Sequence, residues 1–321
     1  MRFLAALAGI LMTGTSWGGY NAITPTPGLR ETKKAFGVLL LLEESGPDWN
    51  QTAQALAHGL ERKFPVELAV GLDDPRALQK NIDRLEARTR KIVAVPVVLF
   101  SHSWLLEQTR FLLNLREKPP SELLLAPHSH HQASNASTRV RSHVPLVMAE
   151  ALEGQPTLIE ILAARAKSRS RDRARESLVI VAQVSNSKEE AKKTAPALNA
   201  LAEKVRQKAG FKSARGASLA TGVIGEQRQK QEALLGALVR SLRREGPVIV
   251  MALGLGPSEL QTKIPKILEG SFARFEARPL LPDPRIARWV EEVAEKTAAL
   301  PDMRIAKEAH HDRRRSYPSL R

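Results

Sequence analysis

Residues 37–42, GVLLLL, form an uninterrupted aliphatic run that decides the fold prediction. A short apolar run bounded by polar residues is typical of a strand buried on both faces of a parallel sheet. A second run of this kind, LVIVA at residues 178–182, lies about 140 positions further along. Each run is followed by a polar turn and by a helical pattern with an acidic start. The sequence therefore predicts an internal duplication.

Strand and helix patterns alternate around both runs, with short connections between them. Parallel strands alternating with helices are typical of an α/β fold with helices on both faces of each sheet. We therefore predict two similar α/β domains with parallel sheets that face a central cleft. The predicted strands are 37–42, 66–70, 92–100, 123–125 or 145–148, 178–182, 214–219 and 248–253, and the predicted helices are 52–64, 75–88, 103–114, 191–209 and 227–243.

The N-terminus has the layout of a secretory signal: Arg2, an apolar stretch at 3–12 and a small, polar region at 13–19. We expect residues 1–22 to direct export to a periplasm. An uncleaved anchor or a wrongly assigned start is the alternative, and the protein would then be cytoplasmic. The predicted organisation continues with a spacer at 23–35, a first α/β domain at 36–150, a basic helix or linker at 151–175, a second α/β domain at 176–300 and a basic tail at 301–321.

Composition excludes several classes of protein. The 321 residues include no cysteine, which excludes disulfide scaffolds, iron–sulfur clusters and thiolate nucleophiles. No apolar run reaches the roughly 18 residues of a membrane span, so we expect no integral membrane segment. The formal net charge is +15, but six of the 49 basic residues fall within 165–175 and six within 304–321. Apart from Tyr317, these stretches contain none of the aromatic residues on which nucleic-acid bases stack, so we expect no specific nucleic-acid binding. We expect the excess of positive charge to attract an anionic small molecule instead.

Ligands of open α/β sheets bind beyond the carboxyl ends of the strands, where this chain has several polar residues. Glu43, followed by Glu44, comes directly after the first strand. Such paired carboxylates hold a hard divalent ion or accept protons, or they simply form a solvated turn. His102 lies between Ser101 and Ser103 after the third strand. It is either a metal ligand or general base, or a histidine bonded to its own helix-capping turn.

Two further motifs are weaker. His128, His130 and His131 are close enough to chelate a transition metal, or they belong to a loop without a defined site. Gly254 and Gly256 lack the third glycine and the acidic residue of a dinucleotide fingerprint, so we expect no organic cofactor. Their lack of side chains would instead let the backbone approach a flat ligand.

Several stretches together resemble the sirohydrochlorin cobaltochelatases, the class II tetrapyrrole chelatases, over about residues 36–290. The similar stretches are GVLLLLEESGPDWN at 37–50, DDP at 73–75 leading to DRLEAR at 83–88, VPVVLFSHS at 95–103, ESLVIVAQVSNS at 176–187, and IPK at 264–266 through LPDPR at 281–285. The resemblance implies two flavodoxin-like domains and insertion of Co²⁺ or Fe²⁺, as substrate, into sirohydrochlorin for cobalamin or sirohaem synthesis.

The chain departs from that family at the metal site. Glu43-Glu44 stands where the family has His-Gly, and Gln183 stands where the second half would carry histidine. In one reading, Glu43 and His102 form a mixed site that binds metal and accepts protons. In the other, an exported relative binds a tetrapyrrole or a metal without inserting it.

The resemblance also suggests where the ring would bind. Ser101, Ser103, Gln183, Gly254 and Gly256 would contact it, and Lys263 and Lys266 would anchor its carboxylates. Because a duplicated chain completes its own cleft, we expect a monomer.

Overall fold

The structure, a computed structural model, describes residues 32–45, 48–72, 74–120, 139–185, 187–220 and 224–305. These residues form two parallel four-stranded sheets of identical topology, β2-β1-β3-β4 and β6-β5-β7-β8. The strands are β1 (Gly37–Leu42), β2 (Val66–Val70), β3 (Ile92–Val97), β4 (Leu146–Met148), β5 (Ser177–Val184), β6 (Ser213–Ala220), β7 (Val248–Leu253) and β8 (Arg274–Glu276). The helices are α1 (Trp49–Leu60), α2 (Pro75–Arg88), α3 (Trp104–Leu112), α4 (Pro156–Arg169), α5 (Lys188–Ala209), α6 (Gly225–Glu245), α7 (Leu260–Ile267) and α8 (Pro284–Ala298).

The apolar runs that predicted the fold are the central strands of the two sheets. Every residue of β1 is buried, and β1 pairs in parallel with β2 on one side and β3 on the other. In the same way, β5 pairs with β6 and β7. A strand in this position has no solvent-facing side, which explains its continuous aliphatic sequence. The predicted duplicated α/β fold is confirmed.

Some element boundaries differ from the predicted ones, for reasons of pairing. The run 92–100 was predicted as one strand, but β3 ends at Val97 because its partner β1 ends at Leu42, the residue opposite. Residues 98–100 still pack against the core. In the second half, β5 extends to Val184, so Gln183 lies within the strand rather than in the turn after it.

Two helices cross between the halves. Helix α4, which lies within the predicted basic helix or linker, packs on α5 of the second half. Helix α8, which follows the second sheet, packs on β3 and β4 of the first. One hydrophobic core consequently contains side chains from both sheets and from both crossing helices. The halves are therefore joined by shared packing as well as by the chain itself.

Five predicted segments lie wholly or largely outside the described residues: the signal segment 1–22, the spacer 23–35, the alternative strand 123–125, the histidine-rich stretch 128–131 and the basic tail 301–321. Within the described part of the chain, no helix combines the length and the apolar character needed to cross a membrane.

Candidate functional site

A cleft of about 600 Å³ lies between the carboxyl ends of the two sheets, as the strand-end argument predicts. Both halves contribute to its walls. Of the predicted site residues, the cleft brings together Glu43, Ser103, Gln183, Gly254 and Gly256. The remaining lining residues are Glu44, Ser45, Trp49, Leu99, Trp104, Leu105, Val184, Ser185, Glu190, Leu253, Leu255, Pro257, Ser258 and Glu259.

Glu43 is the half-buried carboxylate at the end of β1. The Ser103 hydroxyl, in the turn before α3, donates to its Oε1 over 2.9 Å. Burial raises the pKa of Glu43, and the negative charge of Glu190 raises it further, while the Ser103 hydrogen bond opposes both effects. A carboxylate with a raised pKa is a stronger base, so Glu43 is a better proton acceptor than an ordinary exposed glutamate.

Glu190, from the second half, was missed by the sequence analysis. It lies in the first turn of α5, where the Ser187 hydroxyl accepts from its backbone N–H over 3.2 Å. The Ser185 hydroxyl donates to Glu190 Oε2 over 2.6 Å and thereby orients the carboxylate. The Ser-x-x-Glu spacing is a capping-box signature that marks a helix start. Nothing in that spacing shows that Glu190 would lie near Glu43 of the other half.

His102 is not among the residues that line the cleft. Its Nε2 lies 2.9 Å from the hydroxyl of Thr194 on α5, and its Nδ1 lies 3.7 Å from Oε2 of Glu153. Ser101, which also donates to Glu153, lines a separate pocket. His102 thus connects the two halves of the chain. This arrangement does not support the prediction that Glu43 and His102 bind one metal ion together.

Gly256, in the loop after β7, lies against the first half of the chain. A Cβ atom on Gly256 would lie 2.5 Å from Cε3 of Trp49 and 2.7 Å from the Ser45 hydroxyl. The Ser45 hydroxyl donates to the carbonyl of Pro257 over 2.7 Å. Gly256 therefore lets the loop of the second half pack against the indole ring of Trp49 in the first half. The sequence analysis had expected this glycine to let the backbone approach a flat ligand.

The charge of the cleft also differs from expectation. Four glutamates line it, and no lysine or arginine is among its described lining residues. Lys263, predicted to anchor ring carboxylates, is paired with Glu259, and Lys266 does not line the cleft. In the described ranges, no three histidine, aspartate or glutamate side chains form a group that could hold a metal ion. The cleft is therefore acidic, although the chain carries an excess of basic residues.

No protein-family model and no curated protein matches this sequence. The structure is similar to that of SirB from Bacillus subtilis with Fe³⁺, at 13% identity and a TM-score of 0.54, over 84% of this chain and 99% of SirB. A multi-domain protein of Deinococcus radiodurans, described as structurally similar to chelatases with two additional domains, aligns at 16% identity and a TM-score of 0.45, over 80% of this chain and 54% of that one. The likeness to SirB shows that the two chains share a two-domain α/β fold.

Proposed function

We propose that the protein is a chelatase that inserts a divalent metal ion into a tetrapyrrole bound in the cleft. The observation that carries this proposal is the pair of glutamates, Glu43 and Glu190, contributed by opposite halves to the cleft without a basic neighbour in its lining. The chelatase-like fold and the sequence resemblance to the sirohydrochlorin chelatases support it.

Insertion replaces two pyrrole protons by one divalent ion, so the site must attract a cation and accept two protons. Uncompensated carboxylates in a partly desolvated cleft attract a cation more strongly than they would in water. Glu43, whose pKa is raised by burial, accepts the first proton. Glu190 on the opposite wall is placed to accept the second.

The remaining walls are suited to a flat ring. Trp104, Leu99 and Leu105 come from the first half, and Leu253 and Leu255 from the second. Apolar and aromatic walls with a few polar groups are typical of small-molecule sites, and about 600 Å³ is within the usual range of volumes. These side chains would contact the ring faces while the glutamates face its nitrogen atoms.

The metal is Co²⁺ or Fe²⁺, as the resemblance implies, and the ring is sirohydrochlorin or a close relative. The SirB structure with Fe³⁺ is consistent with iron as the substrate of that protein. An acidic cleft does not attract a carboxylate-rich ring, so binding of the ring must depend chiefly on its apolar faces.

An anaerobic absorbance assay with sirohydrochlorin and either metal tests the proposal. We expect insertion above the uncatalysed rate, and Glu43→Gln should lower kcat by about 100-fold or more, since proton acceptance contributes this much in other enzymes. Glu44→Gln is the matched control, because Glu44 is the next residue, lines the same cleft and is exposed. Equal losses in the two variants would contradict the role of Glu43.

A second candidate function is that of an exported relative, which binds a tetrapyrrole or a metal ion without inserting the ion. The hydrogen bond between His102 and Thr194 favours this function, because it occupies a predicted metal ligand. In the same assay it predicts a shifted ring spectrum on mixing and no metallated product. Export is tested separately by N-terminal sequencing of the protein from a cell fraction, where an intact Met1 would contradict cleavage.

A further inference from the structure

A second concavity, of about 480 Å³, lies where helices α4 and α5 end. Its charged lining residues are Lys167, Arg171, Asp172, Arg173 and Lys208, and we call it the basic pocket. Helix α5 has 22 residues, a length of about 33 Å, and its first turn borders the cleft. The basic pocket is therefore at the far end of this helix and does not belong to the site described above.

The cations of the basic pocket differ from their neighbours in how they are paired. Arg165 lies 3.6 Å from Asp283, and Arg169 lies 2.7 Å from Glu276. Among the described residues, by contrast, Lys167 and Arg171 form no ion pair. Within the described ranges, the Arg173 guanidinium donates only to the carbonyl of Ala209, over 3.4 Å.

The two remaining charges do not neutralise this group. Lys208 lies 3.4 Å from Glu160, with both side chains about half exposed. Asp172, the one acid among the described lining residues, lies 3.5 Å from Arg175, which is outside the pocket. The cations that face the pocket therefore keep most of their charge uncompensated.

Helix ends explain only part of this cluster. Lys167 and Lys208 lie in the last turns of α4 and α5, where positive charge stabilises a helix. Arg171 and Arg173 lie beyond the last turn of α4, in the loop that leads to β5. Guanidinium groups without a carboxylate partner present paired N–H donors that match phosphate oxygens.

We propose that the basic pocket binds a phosphate-bearing anion with at least two negative charges. Its like charges repel one another in the empty pocket, and such an anion would relieve that repulsion. The aromatic residues on which nucleic-acid bases stack are not among its described lining residues, which favours a small phosphate group over an RNA.

Calorimetric titration of the full chain with tripolyphosphate tests this site. We expect saturable binding that Arg171→Gln with Arg173→Gln weakens by about tenfold or more, as loss of charge-assisted hydrogen bonds implies. Arg175→Gln is the control from the same loop, and it is compared with each single variant, Arg171→Gln and Arg173→Gln, because each removes one positive charge; the Arg175 side chain is 84% exposed and paired with Asp172. No saturable binding, or equal weakening in Arg175→Gln and the single variants, would overturn the proposal.

Vesicle sedimentation then distinguishes the source of the phosphate. Binding to phosphatidylinositol-phosphate vesicles that exceeds tripolyphosphate binding and is lost in the double variant assigns a lipid headgroup. Binding of tripolyphosphate without vesicle binding assigns a soluble ligand. Preferential binding of single-stranded RNA over both probes, lost in the same variant, would contradict a small phosphate ligand.

Discussion

Carboxylates are buried at two places in this molecule, and their surroundings are opposite. At the cleft, Glu43 receives one hydroxyl hydrogen bond and has another glutamate nearby, and its pKa is raised. In the second half, Glu176, directly before the central strand β5, and Glu276, at the end of β8, are each 1% exposed and paired with arginines. Burial alone would raise the pKa of both, but their hydrogen bonds outweigh it and hold each pKa at about 2.

The difference shows that this basic chain supplies counter-charges to buried carboxylates where they serve only the fold. The chain has 49 basic residues, yet no lysine or arginine is among the described residues that line the cleft. This lack is therefore specific to the cleft and does not reflect a shortage of basic residues. A carboxylate kept without a counter-charge costs stability, and active sites commonly carry such a cost. We take the carboxylates of Glu43 and Glu190, which have no basic partner in the described cleft lining, as the feature that receives an incoming cation.

Removing a structural carboxylate should have the largest effect on stability. Glu176 accepts from Ser170 over 2.5 Å and from the amides of Arg171 and Asp172 over 3.0 and 3.1 Å, and it is paired with Arg274. Breaking a buried ion pair typically costs 3–5 kcal/mol, so Glu176→Gln should lower the free energy of unfolding by about 3 kcal/mol. Urea denaturation measures this loss. Glu203→Gln, which removes an exposed pair with Arg206, should change little.

The same pairs predict how stability depends on acid. Because the folded-state pKa of Glu176 and Glu276 is about 2, against an ordinary value of 4.5, their contribution is fully present above pH of about 4.5. It should be lost progressively as the pH falls toward about 2. Melting temperatures across this range should decline less steeply in Glu176→Gln. A parallel decline in both proteins would show that Glu176 is not part of the acid response.

Adding a methyl group at Gly256 tests the contact that joins the two walls of the cleft. The new Cβ would lie 2.5 Å from the Trp49 ring, so the loop or the indole must move. Overpacking of this kind typically costs 1–3 kcal/mol, and we expect about 2 kcal/mol for Gly256→Ala. Gly59→Ala is the control, because nothing lies within 4 Å of its Cβ position. A stable Gly256→Ala protein would show that the contact tolerates rearrangement.

His102 provides a smaller test of the same comparison. If it only connects the halves, His102→Ala should lower stability by about 1 kcal/mol through the lost hydrogen bond to Thr194, whose side chain is buried. Metal binding at the cleft should be unchanged. If His102→Ala has normal stability but impaired metal binding, His102 is a metal ligand and this account of it is wrong.

Replacing Glu43 by Gln should have the smallest effect on stability, and one of opposite sign. Because the folded-state pKa of Glu43 is raised, the folded protein holds this proton more tightly than the unfolded chain does. Stability should therefore fall as the pH rises from about 4.5 through the folded-state pKa. At neutral pH, Glu43→Gln removes a desolvated charge and should raise the melting temperature. A lowered melting temperature there would contradict this account of the cleft.

The sequence predicted the architecture because buried parallel strands leave a continuous apolar signature, as in β1 and β5. It predicted the cleft because strand ends of such sheets meet at one edge. It did not predict that Glu190 lies near Glu43 or that His102 contacts Thr194, since both contacts join distant parts of the chain. The exchange of α4 and α8 between the halves was missed for the same reason. An amphipathic pattern shows that a helix has a buried face, but not which sheet covers that face.

Titration of Co²⁺ by calorimetry tests the central claim most directly. The background protein carries alanine at His128, His130 and His131, so that metal binding by these predicted ligands cannot contribute. The account predicts saturable binding that is abolished by Glu43→Gln with Glu190→Gln and retained in His102→Ala. Binding that survives the double substitution and disappears in His102→Ala would contradict the claim that the cleft carboxylates receive the metal.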